Sequence, residues 1–261
     1  MEFQVLGQVG VRAGGRLIGE AVRPQQSVVL AALVVDARRL VPSAVLVDRV
    51  WGIAPPPRAR RTLQTHITRI RRLLTQVDPD QRSAQLLHRS DGYLIDVDAD
   101  LVDLHRFRRL AERARDRGCT DEQRAVLLDE ALHLWRGEPL AGLSGAWVER
   151  VRHGWRQQWL NAVLAWAQAQ LQLRNSTAVI DTLTELVDEY PLVEPLTAAL
   201  MHALCTARRA PEAMRYYTTI RDQLIEQLGA DPSTELQQLY QAILRDGVER
   251  LPGSQLSHAT S

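Results

Sequence analysis

The chain has 261 residues, 45% of them hydrophobic and 24% charged, which are globular proportions and enough for a core without staples. All 32 basic residues are arginine, but they are unevenly spread: residues 1–97 hold 14 arginines against 8 acids, and the rest of the chain 18 against 23. A half suited to a polyanion is thus joined to a half that is not, and two cysteines, Cys119 and Cys205, are too few for a disulfide framework or a cysteine-rich zinc module. The longest aliphatic run, Val28 to Val35, is too short to span a bilayer. Met1-Glu2-Phe3-Gln4 lacks the cationic start of a secretory signal. A cytoplasmic protein with no membrane contact is expected.

The first 20 residues read as strands, with Phe3, Val5, Leu6, Val9 and Val11 apolar and a tight turn at Ala13-Gly14-Gly15-Arg16. A helix then starts at Pro24, where the missing N–H costs nothing, and residues 28–35 are apolar all round, so it should be buried. Pro42-Ser43 opens a second helix whose apolar face is Leu46, Val47, Val50 and Trp51, with Trp51 in the core and Gly52 as the stop. Pro55-Pro56-Pro57 forces a stiff extended loop.

The third helix is predicted from about Arg58 to about Gln76. Leu63, Ile67, Ile70 and Leu74 fall within a stripe about 60° wide at about 100° per residue. Opposite that stripe stand Arg58, Arg61, Thr65, Arg69 and Arg72, flanked by Thr62 and Thr68, and no acid lies between Arg58 and Arg72. One face is built for a core and the other for an anion. Arg60 and Arg71 lie nearer the apolar stripe and are expected to pair with acids. A hairpin follows, from Leu86-Leu87-His88-Arg89 to Tyr93-Leu94-Ile95-Asp96-Val97, with Ser90-Asp91-Gly92 as its turn.

After Asp98 the pattern is helical to about Asp246. Asp103 precedes a helix bearing Leu104, Phe107, Leu110 and Ala114, and Thr120-Asp121-Glu122-Gln123 reads as a capping box. Trp135, Trp147, Trp155, Trp159 and Trp166 are read as core packing or, alternatively, as a partner groove on stacked helices. A repeat appears at a spacing of 34: Val163, Trp166 and Ala167 match Thr197, Leu200 and Met201, and Val179, Leu183 and Leu186 match Ala213, Tyr217 and Ile220. That is the tetratricopeptide spacing, although the turn glycine is partly missing. Residues 247–261 read as a polar, disordered tail.

The expected fold is mainly α with a small β component: a winged helix-turn-helix domain (1–97), then an all-α tetratricopeptide-like domain (98–246). Val50-Trp51-Gly52, the proline loop, Ala59-Arg60-Arg61-Thr62-Leu63-Gln64-Thr65-His66-Ile67-Thr68-Arg69-Ile70-Arg71-Arg72-Leu73 and Asp91-Gly92-Tyr93-Leu94-Ile95 carry a resemblance. They resemble the OmpR-type winged helix of the Streptomyces antibiotic regulatory proteins. Val102-Asp103-Leu104-His105-Arg106-Phe107 and Ala131-Leu132-His133-Leu134-Trp135-Arg136-Gly137-Glu138-Pro139-Leu140 are similar to the opening motifs of the bacterial transcriptional activation domain that follows it there. The resemblance implies an activator of a secondary-metabolite gene cluster that binds direct repeats in promoter DNA as a homodimer. It further implies recruitment of RNA polymerase through the sigma factor region near the −35 element.

On this reading Thr65, Arg69 and Arg72 point at base edges or nearby phosphates, since arginine pairs bidentately with guanine and threonine meets a thymine methyl or a phosphate. Arg58 and Arg61 grip phosphate, with Thr62 beside them. His66 has two readings, a DNA contact or a plain surface residue. Arg89 touches flanking backbone or minor groove as a wing. Ile53, Ala54 and Arg58 are candidates for polymerase contact. No lysine exists for a Walker loop, and no histidine pair has metal spacing with a carboxylate partner. Neither a cysteine nor a serine nucleophile motif is recognisable, so no enzyme, cofactor or metal is expected. A helical-repeat scaffold without specific DNA binding, or a repressor of the same architecture, are the alternatives.

Overall fold

The computed structural model describes residues 1–18, 23–80 and 83–249. The chain folds into two compact units: Met1–Cys119 with Val126–Ala162, and Thr120–Ala125 with the chain from Val163 onward.

In the first unit, β1 (Glu2–Gln4), β2 (Gly10–Ala13) and β3 (Arg16–Ile18) form an antiparallel sheet in that order. Then come α1 (Pro24–Val35), β4 (Val41–Pro42), α2 (Ser43–Trp51), α3 (Ala59–Val77) and the hairpin β5 (Ala84–Arg89)–β6 (Gly92–Val97). β4 pairs with β6, giving a second sheet ordered β4-β6-β5. Three helices closed by such a hairpin are a winged helix-turn-helix. α1 is buried continuously from Gln26 to Val34, as its unbroken apolar run requires.

The hairpin turn is not where the Asp-Gly pair suggests. Arg89 pairs with Gly92, so the loop is Ser90-Asp91, and Ser90 takes the positive φ, 47°. Gly92 serves a different need: a Cβ there would lie 2.5 Å from the Val41 carbonyl oxygen, so β4 can approach β6 only at a glycine.

The same unit continues through α4 (Asp103–Arg113), most of α5 (Asp121–Leu132) and the first part of α6 (Ala146–Gln172). Asp103 is 0% exposed, and its carboxylate accepts the Val5 and Leu6 N–H groups at 3.0 Å and its neighbour Leu104 N–H at 2.7 Å. Arg136, Leu140 and Ala141 donate their N–H groups to Leu6, Val5 and Gly7 carbonyls. The chain after β1 is therefore laced on both sides to the α4–α6 region. Phe107 meets Trp135 edge to face at 5.4 Å between ring centroids, and Trp135 lies tilted against Trp159 at 5.9 Å. Trp147, Trp155 and Trp166 are buried.

In the second unit α7 (Ser176–Glu189), α8 (Glu194–Thr206), α9 (Ala210–Leu228) and α10 (Thr234–Glu249) pack as successive neighbours. The capping box forms reciprocally: Thr120 N–H donates to Gln123 Oε1 and Gln123 N–H to Thr120 Oγ1. The repeat positions are buried, except that Leu186 is half-buried. α10 carries the chain helically to Glu249, so the first residues of the expected tail are helical, and residues 250–261 lie outside the described residues.

Candidate nucleic-acid interface

α3 sorts its side chains as its periodicity demands. Leu63, Ile67, Ile70 and Leu74 are buried, while Arg58, Arg61, Thr65, Arg69 and Arg72 are exposed and Thr62 is half-buried. The helix begins at Ala59, with Arg58 as its N-cap residue, and its first turn holds no acid. The Thr62, Thr65 and Thr68 hydroxyls donate to carbonyls one turn back, those of Arg58, Arg61 and Gln64. Each threonine hydroxyl hydrogen is thus occupied within the helix. Arg71 Nε donates to the Leu86 carbonyl at 3.0 Å, tying α3 to β5, where an acid partner was expected.

His66 is not the plain surface residue of its second reading. It is 4% exposed, on the buried side of α3, and neither ring nitrogen has a hydrogen-bond partner among the described residues. Trp51, expected in the core, is half-buried instead, and its ring lies 6.3 Å from the imidazole, tilted by 32°. Burial lowers the His66 pKa, and the Arg69 and Arg23 guanidinium charges lower it further, so the ring is neutral at neutral pH.

The structure gathers six of the eight expected DNA contacts around one concavity of about 330 Å³, lined by Arg58, Arg61, Thr62, Thr65, His66 and Arg69 together with Arg23 and Gln25 at the start of α1. Among the described residues that lining holds four arginines and no carboxylate. Arg72 is exposed one turn further along α3, and Arg89 is exposed beside the hairpin turn. Arg23 and Gln25 were missed from sequence, because nothing local to α1 marks them as neighbours of α3. In the loop before α3, Ile53 is 104% exposed, and Ala54 and the three prolines are exposed with it.

Among the described residues no helix is long and apolar enough to cross a membrane, and no group of three or more His, Cys, Asp and Glu side chains is placed to hold a metal.

Comparison with known proteins agrees with this architecture. The family described as "Transcriptional regulatory protein, C terminal" matches residues 20–95, and "Bacterial transcriptional activator domain" matches residues 102–244. The chain is 33% identical to the regulatory protein DnrI of Streptomyces peucetius, over 96% of this chain and 95% of DnrI. It is 34% identical to the regulatory protein AfsR of Streptomyces griseus over 94% of this chain, but spans only 24% of AfsR. A solved structure of Mycobacterium tuberculosis EmbR, in complex with a low-affinity phosphopeptide, superposes with a TM-score of 0.82 at 29% identity, over 94% of this chain and 65% of that one. The winged helix, the helical domain behind it and full-length similarity to DnrI together place the chain in the family of Streptomyces antibiotic regulatory proteins, which are transcriptional regulators.

Proposed function

We propose that the protein is a sequence-specific activator of a secondary-metabolite gene cluster and binds promoter DNA through α3. Residues 1–97 are the DNA-binding domain and 98–246 the activation domain. The observation that carries this reading is the exposed, acid-free arginine face of α3 opposite a fully buried apolar stripe. A helix of that diameter fits the major groove. There Arg69 and Arg72 meet base edges and adjacent phosphates, Thr65 offers its methyl to a base edge, Arg58 and Arg61 hold the backbone with Thr62 beside them, and Arg89 follows the wing onto flanking DNA. Replacing condensed cations with guanidinium groups drives association and makes it salt-sensitive.

The fully exposed Ile53, with Ala54 and Arg58, forms the contact with the sigma factor region near the −35 element. Two protomers sit head-to-tail on direct repeats, and the protein acts in the cytoplasm. Two measurements test the reading. Log affinity for the promoter should fall linearly with log salt, at a slope near −0.9 for each phosphate neutralised. A flat response would mark a scaffold. Run-off transcription with purified polymerase should rise above basal level, and no gain, or a loss, would mark a repressor.

A further inference from the structure

The concavity beside α3 is more than the rim of a charged face, because its walls are two helix starts. Arg23 is the N-cap residue of α1 and Arg58 that of α3; neither side chain caps its helix, and neither first turn contains an acid. The first-turn amides of Arg60 and Arg61 have no backbone partner one turn back among the described residues, and residues from both helix starts border the same space. His66 also lines the site, nine-tenths buried, with an N–H that no atom of the described residues accepts. Cations, helix-start amides and an unpaired buried donor favour an anionic acceptor, and among the described residues no carboxylate lines the site to supply one.

We propose that this concavity is a phosphate clamp that takes one backbone phosphate of the DNA strand beside the recognition helix. Arg23 and Gln25 of α1 close over it from one side and Arg58 and Arg61 from the other, while the neutral His66 ring donates its N–H from below. The proposal rests on α3 being the DNA-binding helix and adds the first turn of α1 to the interface. His66 then makes the DNA contact of its first reading, but to a phosphate and from a buried position.

Two titrations of the full chain test it. The first adds inorganic phosphate and follows the His66 ring resonances by NMR, with chloride at matched ionic strength as the control. A saturable shift is expected in the wild type and not in Arg23→Gln. The second measures binding of a mixed-sequence duplex of about 24 base pairs against salt. Arg23→Gln should lose about 0.9 from the slope, which is about an eightfold loss of affinity at about 0.1 M salt. His66→Leu, which removes an uncharged N–H, should lower duplex affinity with the salt slope unchanged; Arg23 is exposed, so its variant keeps the test independent of folding. If the wild type binds duplex and Arg23→Gln binds equally well with an equal slope, the clamp is overturned while the reading of α3 stands. If the wild type itself binds no duplex, both fall. A response to inorganic phosphate with duplex affinity unchanged overturns the assignment to the DNA backbone and leaves a site for free phosphate.

Discussion

The Asp103 carboxylate accepts the Val5 N–H through both of its oxygens at 3.0 Å, tying the end of β1 to the first turn of α4 across 98 positions of sequence. Burial pushes this carboxyl up to about 7, against the opposing pull of the backbone N–H donors. Its folded pKa is thus above its unfolded value, so the stabilisation is full below about pH 4 and is lost as pH rises through 7. Between about pH 5 and pH 8 that loss is about 2–3 kcal/mol. Urea titrations followed by tryptophan fluorescence report the first unit, which holds every tryptophan but Trp166. The wild type should lose this stability across the range, and Asp103→Asn should lose about 2–3 kcal/mol less. Equal pH dependence in the two proteins would contradict the assignment.

Arg174 and Arg208 are 34 residues apart and share one conformation, with φ of 58° and 60°. Their surroundings repeat as well: Asn175 N–H donates to the Gln170 carbonyl at 2.9 Å, and Arg209 N–H to the Leu204 carbonyl at 2.7 Å. Both helix ends use a left-handed residue that carries a side chain, whereas α9 ends on Gly229 at φ 63°. A Cβ in that region costs roughly 1–2 kcal/mol, partly offset by the greater freedom of glycine in the unfolded chain. Arg208→Gly should therefore stabilise the second unit by about 0.5–1 kcal/mol in thermal or urea unfolding. Destabilisation would mean that the arginine side chain holds the turn.

Gly92→Ala should break the β4–β6 pairing, because the Val41 carbonyl cannot withdraw without moving β4. A cost of about 2 kcal/mol or more is expected, as for other steric insertions into packed structure. Hydrogen exchange at Tyr93 should rise in step. An alanine variant of wild-type stability would show that β4 is free to shift.

Ile53→Ser should leave stability and promoter affinity unchanged, since the side chain is fully exposed and outside the α3 face. Run-off transcription should nevertheless drop toward basal level. Full activity in this variant would remove the loop from the polymerase contact.

Local signals carried much of this structure. The buried stripe of α3, the continuous burial of α1, the capping box at Thr120 and the 34-residue repeat all follow from periodicity and turn chemistry, which act between near neighbours. What escaped is long-range. Asp103 looked like a helix start, but its carboxylate reaches back to β1. His66 shares a helix with arginines, yet its angular position turns it inward under Trp51. Gly92 reads as a turn residue, though its need is set by β4, some fifty positions away in sequence. Arg23 and Gln25 lie beside Arg58 and Arg69 only because α1 packs on α3. The loose tetratricopeptide signature has a local cause, because Arg174 and Arg208 stand where a turn glycine is usual.

The most direct test of the account is promoter binding by the Arg69→Ala/Arg72→Ala double variant, with folding checked by circular dichroism. Both side chains are exposed, so helical content and unfolding midpoint should match the wild type. Promoter binding should be abolished, because two charge-bearing contacts are removed from the groove-facing side. A double variant that still shifts the promoter with wild-type affinity and salt slope would contradict α3 as the DNA-reading helix.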